Sequence, residues 1–324
     1  MKRRTYLNVL LVVGLGLLIP FTGIGQTKKE ATDIYNSAAT SYKQDPKTSL
    51  DNLFKAIQIC EQLGEEGQEI KVNSESLIPK VYFEIAMVQY KQKDLQGTLD
   101  NLEKAEESAI KYNDGSVKTR VEKTIPKLYN VMGNNKFKED KFEEAIANYN
   151  KALNFTPDFV DPILGLALSY EKLGNDDKMI EYIDKTIEAA KKINDTKTIE
   201  ASTIKAKNFY LKNADEAQKA KKYDDAIVAL NNSLKYDGND NDVYRLLAVN
   251  YNRVEKWNEG IEAALKAIDL KTGPADEKAE LYFLLATAYQ KINDNAKACE
   301  AYKNASFGTF KPNADYQIQQ LKCQ

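Results

Sequence analysis

The sequence contains no histidine. That removes the side chain whose charge changes nearest neutral pH and the commonest metal ligand. Ser-His-Asp and Cys-His arrangements and imidazole-based zinc sites therefore cannot be assembled within the chain. Glycine and proline are sparse, 15 and 8 of 324 residues, which leaves few residues for β-turns and favours helices. Cysteine is limited to three, with no CxxC pair, so dithiol oxidoreductase chemistry has no support. An excess of either sign of charge is also lacking, the formal net charge being -2, whereas a nucleic-acid footprint needs a basic face to neutralise phosphates. No nucleic-acid partner, no metal and no small-molecule cofactor is expected.

What is present points to helices. The apolar fraction is 43%, in the globular range, and Ala, Leu, Lys, Glu, Ile and Asn dominate. The expected fold class is all-α. Asp and Glu are plentiful, so a hydrolase using paired carboxylates is one reading. They fall mostly in i, i+4 combinations with Lys on helix faces, where solvated surface is the default; a non-enzymatic chain is expected.

The N-terminus reads as an address. Lys2-Arg3-Arg4 supplies a positive region, Leu7 to Leu18 an apolar one, and Pro20 precedes Gly23-Ile24-Gly25, the pattern of a signal peptide cut after Gly25. Loss of those three cations would move the net charge from -2 to -5. The alternative is an uncleaved anchor, because Tyr6 to Ile24 approaches the roughly 20 apolar residues that span a bilayer. The expected location is periplasmic or secreted.

Internal repetition dominates the rest. Small residues recur at fixed offsets, the second twelve after the first and the third seven after that: Ala86/Thr98/Ala105, Gly133/Ala145/Ala152, Ala167/Met179/Thr186, Ala214/Ala226/Ser233, Ala248/Gly260/Ala267 and Ala286/Ala298/Ala305. Tyr82, Tyr129, Ile163, Tyr210, Tyr244 and Tyr282 each precede the first member by four residues. This frame resembles the tetratricopeptide repeat, which carries an aromatic, a Leu-Gly/Ala pair and a Tyr on one helix, then Ala and an aromatic on the next. The resemblance implies a right-handed α-solenoid of about seven helical hairpins. A side chain larger than Ala where the two helices cross would hold their backbones apart.

The first small residues are spaced by 47, 34, 47, 34 and 38, so extra residues are accommodated in alternate units. Lys111-Tyr112-Asn113-Asp114 leads to Tyr129 as Lys192-Ile193-Asn194-Asp195 leads to Tyr210, which reads as longer helices joined at an Asn-Asp turn. Ile78-Pro79 and Ile125-Pro126 form a matching pair, suited to a first helical turn or to a helix already begun. The expected organisation is residues 1–25 as signal, a degenerate unit at 26–75, and a solenoid at 76–324. Its units lie around 79–112, 126–159, 160–194, 207–239, 241–272 and 279–308, with a capping helix at 312–323.

Cysteines in an exported chain can pair. Cys299 lies early in the last unit's second helix and Cys323 ends the cap, so a Cys299–Cys323 disulfide is expected, with Cys60 an apolar filler.

The tetratricopeptide resemblance further implies a groove lined by the first helix of each pair. By position, its candidates are Phe83, Met87, Tyr90, Asn130, Asn134, Phe137, Leu164, Leu168, Leu211, Asp215, Gln218, Arg245, Val249, Asn252, Phe283 and Gln290. Phe83, Met87, Leu164 and Leu168 read as an apolar patch, or as surface covered by the projecting hairpins. The family's carboxylate clamp is incomplete: Asn130 and Asn134 hold the first two places, with Asn in place of Lys, and Gly165 falls where the next Asn belongs. The implied function is a cell-envelope scaffold that binds a protein or peptide, with association with envelope proteins as a further expectation. An outer-membrane assembly factor or a glycan-capture accessory protein is the alternative.

Overall fold

The computed structural model describes residues 27–324, so the apolar N-terminal run and the cleavage site after Gly25 lie outside the described residues. Helices follow one another as α1 (Lys28–Ser41), α2 (Pro46–Leu63), α3 (Gln68–Lys91), α4 (Leu95–Lys111), α5 (Gly115–Lys138), α6 (Phe142–Phe155), α7 (Val160–Lys172) and α8 (Asp176–Lys192). They continue as α9 (Thr196–Lys219), α10 (Tyr223–Ser233), α11 (Asn241–Arg253), α12 (Trp257–Leu270), α13 (Ala279–Lys291), α14 (Asn295–Ala305) and α15 (Lys311–Gln320). Among the described residues there is no strand, and no helix is long and apolar enough to cross a membrane.

The chain divides into two compact units, one ending at Ile125 and the other running from Pro126 to Gln324, with the junction inside α5. In the first unit, α1 pairs with α2 and α3 with α4, and α2 also packs on α3. In the second, α7–α8, α9–α10, α11–α12 and α13–α14 are hairpins, and each also packs on its neighbour in chain order, ending with α15 on α14. The expectation of an all-α chain of helical hairpins holds.

The repeat frame explains why these helices pack. All eighteen frame residues are buried. Three are hydroxyl residues whose side chains donate to the carbonyl of a preceding helical turn: Thr98 to Asp94 at 2.6 Å, Thr186 to Tyr182 at 2.7 Å and Ser233 to Leu230 at 2.7 Å. Such a bond meets the hydroxyl's need inside an apolar contact. The N-terminal hairpin repeats the device with a turn shorter by one residue: Ala38, Ser49 and Ala56 are buried, and Asp45 caps α2 with Pro46 in its first turn.

Every regular hairpin turn carries a left-handed residue seven positions after the first small residue: Lys93, Asp140, Gly174, Lys221, Glu255 and Asn293. The next residue donates its N–H five positions back, as in Lys141 to Lys136 at 2.9 Å and Lys256 to Tyr251 at 2.9 Å. This Schellman closure satisfies carbonyls that the helix end would orphan. Only one of the six is glycine, so the turn imposes its conformation on side chains that would otherwise avoid it, at roughly 1 kcal/mol each.

First helices come in two lengths. Those of α3, α5 and α9 have 24 residues each, whereas α7, α11 and α13 have 13. The long ones begin before the unit starts expected at 79, 126 and 207, and the boundary expected at 75 falls inside α3. Pro79 and Pro126 stand within helices rather than opening them. A proline there deletes one i→i-4 bond, and the buried neighbours Ile78 and Val81 hold α3 together across the gap. In α9 the corresponding residue is Lys207, whose Nζ pairs with Asp237 at 2.8 Å and Asp240 at 2.6 Å, tying the end of the α9–α10 hairpin to the long helix.

Candidate functional site

The first small residue of each repeat faces its own second helix. Residues three before it, one after it and four after it therefore share another face, since i, i+4 and i+7 align along a helix. That face carries all the candidate groove residues.

In the first unit the face is partly roofed. Phe83 is only 5% exposed, with the Arg120 guanidinium 3.9 Å from its ring centroid. Arg120 also lies 3.8 Å from Glu84, and Lys80 lies 3.9 Å from Asp114, whose carboxylate caps the start of α5. Phe83 is therefore not an open groove residue. The extra turns that lengthen α5 carry Arg120 onto its ring, a cation–π contact. Met87 stays half-buried and Tyr90 exposed.

In the second unit the face begins with Asn130, which is buried rather than open, and Asn134, which is exposed. Asn134 Oδ1 accepts a 2.8 Å hydrogen bond from the Tyr149 hydroxyl. The Tyr149 ring, 1% exposed, lies between two glycines: a Cβ on Gly133 would come within 2.5 Å of it, and one on Gly165 within 2.5 Å as well. Burial pushes the Tyr149 phenol up to about 12. The place where a carboxylate clamp would set its next Asn is thus filled by an aromatic ring.

Farther along, Phe137 is half-buried against Phe142, ring centroids 5.4 Å apart. Leu164 belongs to a cluster with Ala167, Met179, Ile199 and Phe209, so it too is packed rather than free, Ile199 coming from the N-terminal extension of α9. Leu211 packs on the cluster that contains Ala214, Leu230 and Leu247. Leu168 is half-buried.

The later helices carry a polar face. Arg245 reaches Glu280 at 3.1 Å and Asp242 at 3.8 Å. Asn252 donates to the Leu284 carbonyl at 3.1 Å. Gln290 accepts from the Tyr302 hydroxyl at 2.8 Å and donates to Gln317 at 3.2 Å. Phe283 is half-buried between Tyr302 and Phe310, centroids 5.5 and 5.6 Å away. Asn130 Oδ1, Gln218 Nε2 and Asn252 Oδ1 are buried without a hydrogen-bond partner among the described residues.

The face is open where residues follow the small one directly. Asn134 and Asp215 are exposed, and Leu168, Val249 and Thr287 are half-buried, while their frame neighbours Gly133, Ala214, Ala167, Ala248 and Ala286 are buried. Beside this strip lies a concavity of about 560 Å³ between α7 and α9, lined by Glu171, Asn208, Phe209 and Lys212, with Lys205 paired to Glu171 at 2.7 Å. Sequence reasoning missed Lys205, Asn208 and Lys212. For Lys205 the signal was the 47-residue spacing before Ala214, which supplies the helical turn that carries it; Asn208 and Lys212 lie inside the expected unit but off the face taken as the groove.

Cys299 and Cys323 are joined in a disulfide, their Cα atoms 5.5 Å apart. Cys60 is a buried free thiol, and burial raises its pKa.

Family models agree with the frame over part of the chain. A TPR repeat model matches residues 133–174, and a tetratricopeptide repeat model matches 162–193 and 279–306. No curated protein matches. Among solved structures, similarity extends to MamA, with 21% identity over 58% of this chain and 96% of that one, at a TM-score of 0.29. The P58(IPK) TPR domain shows 16% identity over 91% and 80%, at 0.32. The TPR2AB domain of yeast Sti1 in complex with pHSP90 shows 18% identity over 75% and 96%, at 0.30. Tetratricopeptide repeats generally mediate protein–protein or peptide binding on scaffolds that are typically non-enzymatic, and this chain carries such repeats at residues 133–193 and 279–306.

Proposed function

We propose that the chain is a non-enzymatic scaffold of the cell envelope that binds a protein or peptide along the first-helix face of its second unit. The observation that carries this reading is the strip Asn134, Leu168, Asp215, Val249 and Thr287, left open in successive repeats while the adjacent residues close the core. Its mixture of aliphatic, amide and carboxylate groups suits a partner chain with alternating apolar and polar side chains. The envelope setting rests on the N-terminal pattern alone.

The test is pull-down from membrane extracts with Leu168→Glu and Val249→Glu introduced together. Both sites keep part of their surface in solvent, and circular dichroism of the variant checks that the helices are retained. Loss of specific co-purifying partners is expected; retention of every partner would refute binding at this face. Introducing a charge at Phe83 or Leu164 would not discriminate, because both pack in cores.

A further inference from the structure

The second unit ends in a short helix that buries little apolar surface of its own and is tied back by a disulfide. Helix α15 has ten residues, and only Ala314 among them is fully buried. Ile318, and Leu321 just beyond the helix, are half-buried on the adjoining cluster. Its polar ties outside itself are the Gln317–Gln290 amide pair at 3.2 Å, the Asp315 carboxylate, which accepts from Ser306 at 2.5 Å, and the Lys311 ammonium, which donates to Ser306 Oγ at 3.2 Å; beyond the helix the Gln324 carbonyl accepts from Lys303. A helix this short is marginal in water without tertiary support. The Cys299–Cys323 bond reaches from the residue after Ala298 to the chain beyond α15, and both cysteines are half-exposed, within reach of a reductant.

The helix also forms one wall of an open concavity. A cavity of about 680 Å³ is lined on one side by Phe283, Thr287, Gln290 and Tyr302, and on the other by Gln317 and Leu321. The first four belong to the last hairpin, and three of them lie on the first-helix face of α13. Helix α15 thus stands as a removable wall at the end of that face.

We propose that the Cys299–Cys323 disulfide is a redox latch: oxidised, it holds α15 against the last hairpin; reduced, it lets α15 leave and opens the face of α13. The reductant is a dithiol. Its first thiolate attacks one cysteine sulfur and breaks the Sγ–Sγ bond, and the departing thiolate takes up a proton. The second reductant thiol then resolves the mixed disulfide, frees the other cysteine as a thiol and leaves the reductant oxidised to its own disulfide. Two electrons and two protons pass to the protein. Helices α13 and α14 keep their own frame contacts through Ala286, Ala298, Tyr302 and Ala305, so the opening stays local.

Hydrogen exchange on the purified chain, with and without dithiothreitol, tests this. Amides of α15 are expected to exchange about tenfold faster or more after reduction, with α11 to α14 unchanged, as for a sub-global opening. Cys323→Ser should reproduce the effect without reductant. Unchanged protection of α15 in dithiothreitol would overturn the latch. So would joint loss of protection in α13 and α14, which would make the bond a structural staple of the whole hairpin. Non-reducing peptide mapping that recovers Cys299 and Cys323 as free thiols would overturn it as well.

Discussion

Two tyrosines occupy the same place in two hairpins of the second unit, and their surroundings differ. Tyr149 and Tyr302 each follow the first small residue, Gly133 or Ala286, by sixteen positions, and each is 1% exposed. Each hydroxyl donates at 2.8 Å to an amide oxygen of the first helix, Asn134 in one case and Gln290 in the other. Around Tyr149 the next neighbour is a full hairpin, and two glycines let α5 and α7 close on the ring. Around Tyr302 the neighbours include Phe283 and the lone helix α15, whose chain is tied back by a disulfide. One ring is closed over by a stacked hairpin, the other by a single helix held with a covalent tie.

The largest expected effect breaks the interior side of that comparison. Gly165→Val would place a branched side chain where even a Cβ lies 2.5 Å from the Tyr149 ring, and overpacking of this kind costs roughly 3 kcal/mol. Urea denaturation of the variant should show this loss; a change under about 0.5 kcal/mol would mean that the ring is not wedged. Ionisation comes next. The folded-state pKa of Tyr149 is raised to about 12 from an ordinary phenol value near 10, so the folded state holds the proton more tightly than the unfolded chain. That stabilisation is fully present below pH 10 and is lost as pH rises from 10 through about 12, amounting to roughly 2–3 kcal/mol. Stability measured across that window should fall less steeply in Tyr149→Phe than in the parent, and identical slopes would remove the ring from the buried site.

At neutral pH the same substitution isolates the hydroxyl. Tyr149→Phe and Tyr302→Phe should each cost about 1 kcal/mol by thermal or urea unfolding. A far larger loss for Tyr302 would show that its link through Gln290 to Gln317 holds α15, contrary to the sulfur-anchored picture. The smallest effect concerns the turns. Lys221 has a φ of +58°, so Lys221→Gly should stabilise the α9–α10 hairpin by about 0.5–1 kcal/mol, whereas Gly174→Ala should destabilise α7–α8 by a similar amount. Equal melting temperatures across parent and variants would show that these turns carry no strain.

Much of this molecule was legible beforehand, and the reason is periodic. Small residues at offsets of twelve and seven mark helix crossings because a crossing tolerates little bulk, so burial of Ala145, Ala226 or Ala298 follows from spacing alone. The Asn113-Asp114 and Asn194-Asp195 turns were legible for the same reason, as were α15 and its proximity to α14. The left-handed turn residues were not: Lys93, Lys221 and Glu255 carry no local signal for that conformation, which the Schellman bonds impose once the two helices meet. The groove was legible only as a face. Phe83 and Leu164 have the same offset from their small residues as Arg245, yet helix extensions from the following repeats cover the first two.

The sequence by itself thus determined the all-helical class, the repeat length and which residues the hairpins bury, because close packing of a periodic hairpin acts on residue size at fixed positions. Tertiary structure decided which part of the first-helix face stays open. That outcome depends on where inserted turns come to rest, as with Arg120 on Phe83 and Ile199 beside Leu164, which spacing along the chain does not encode.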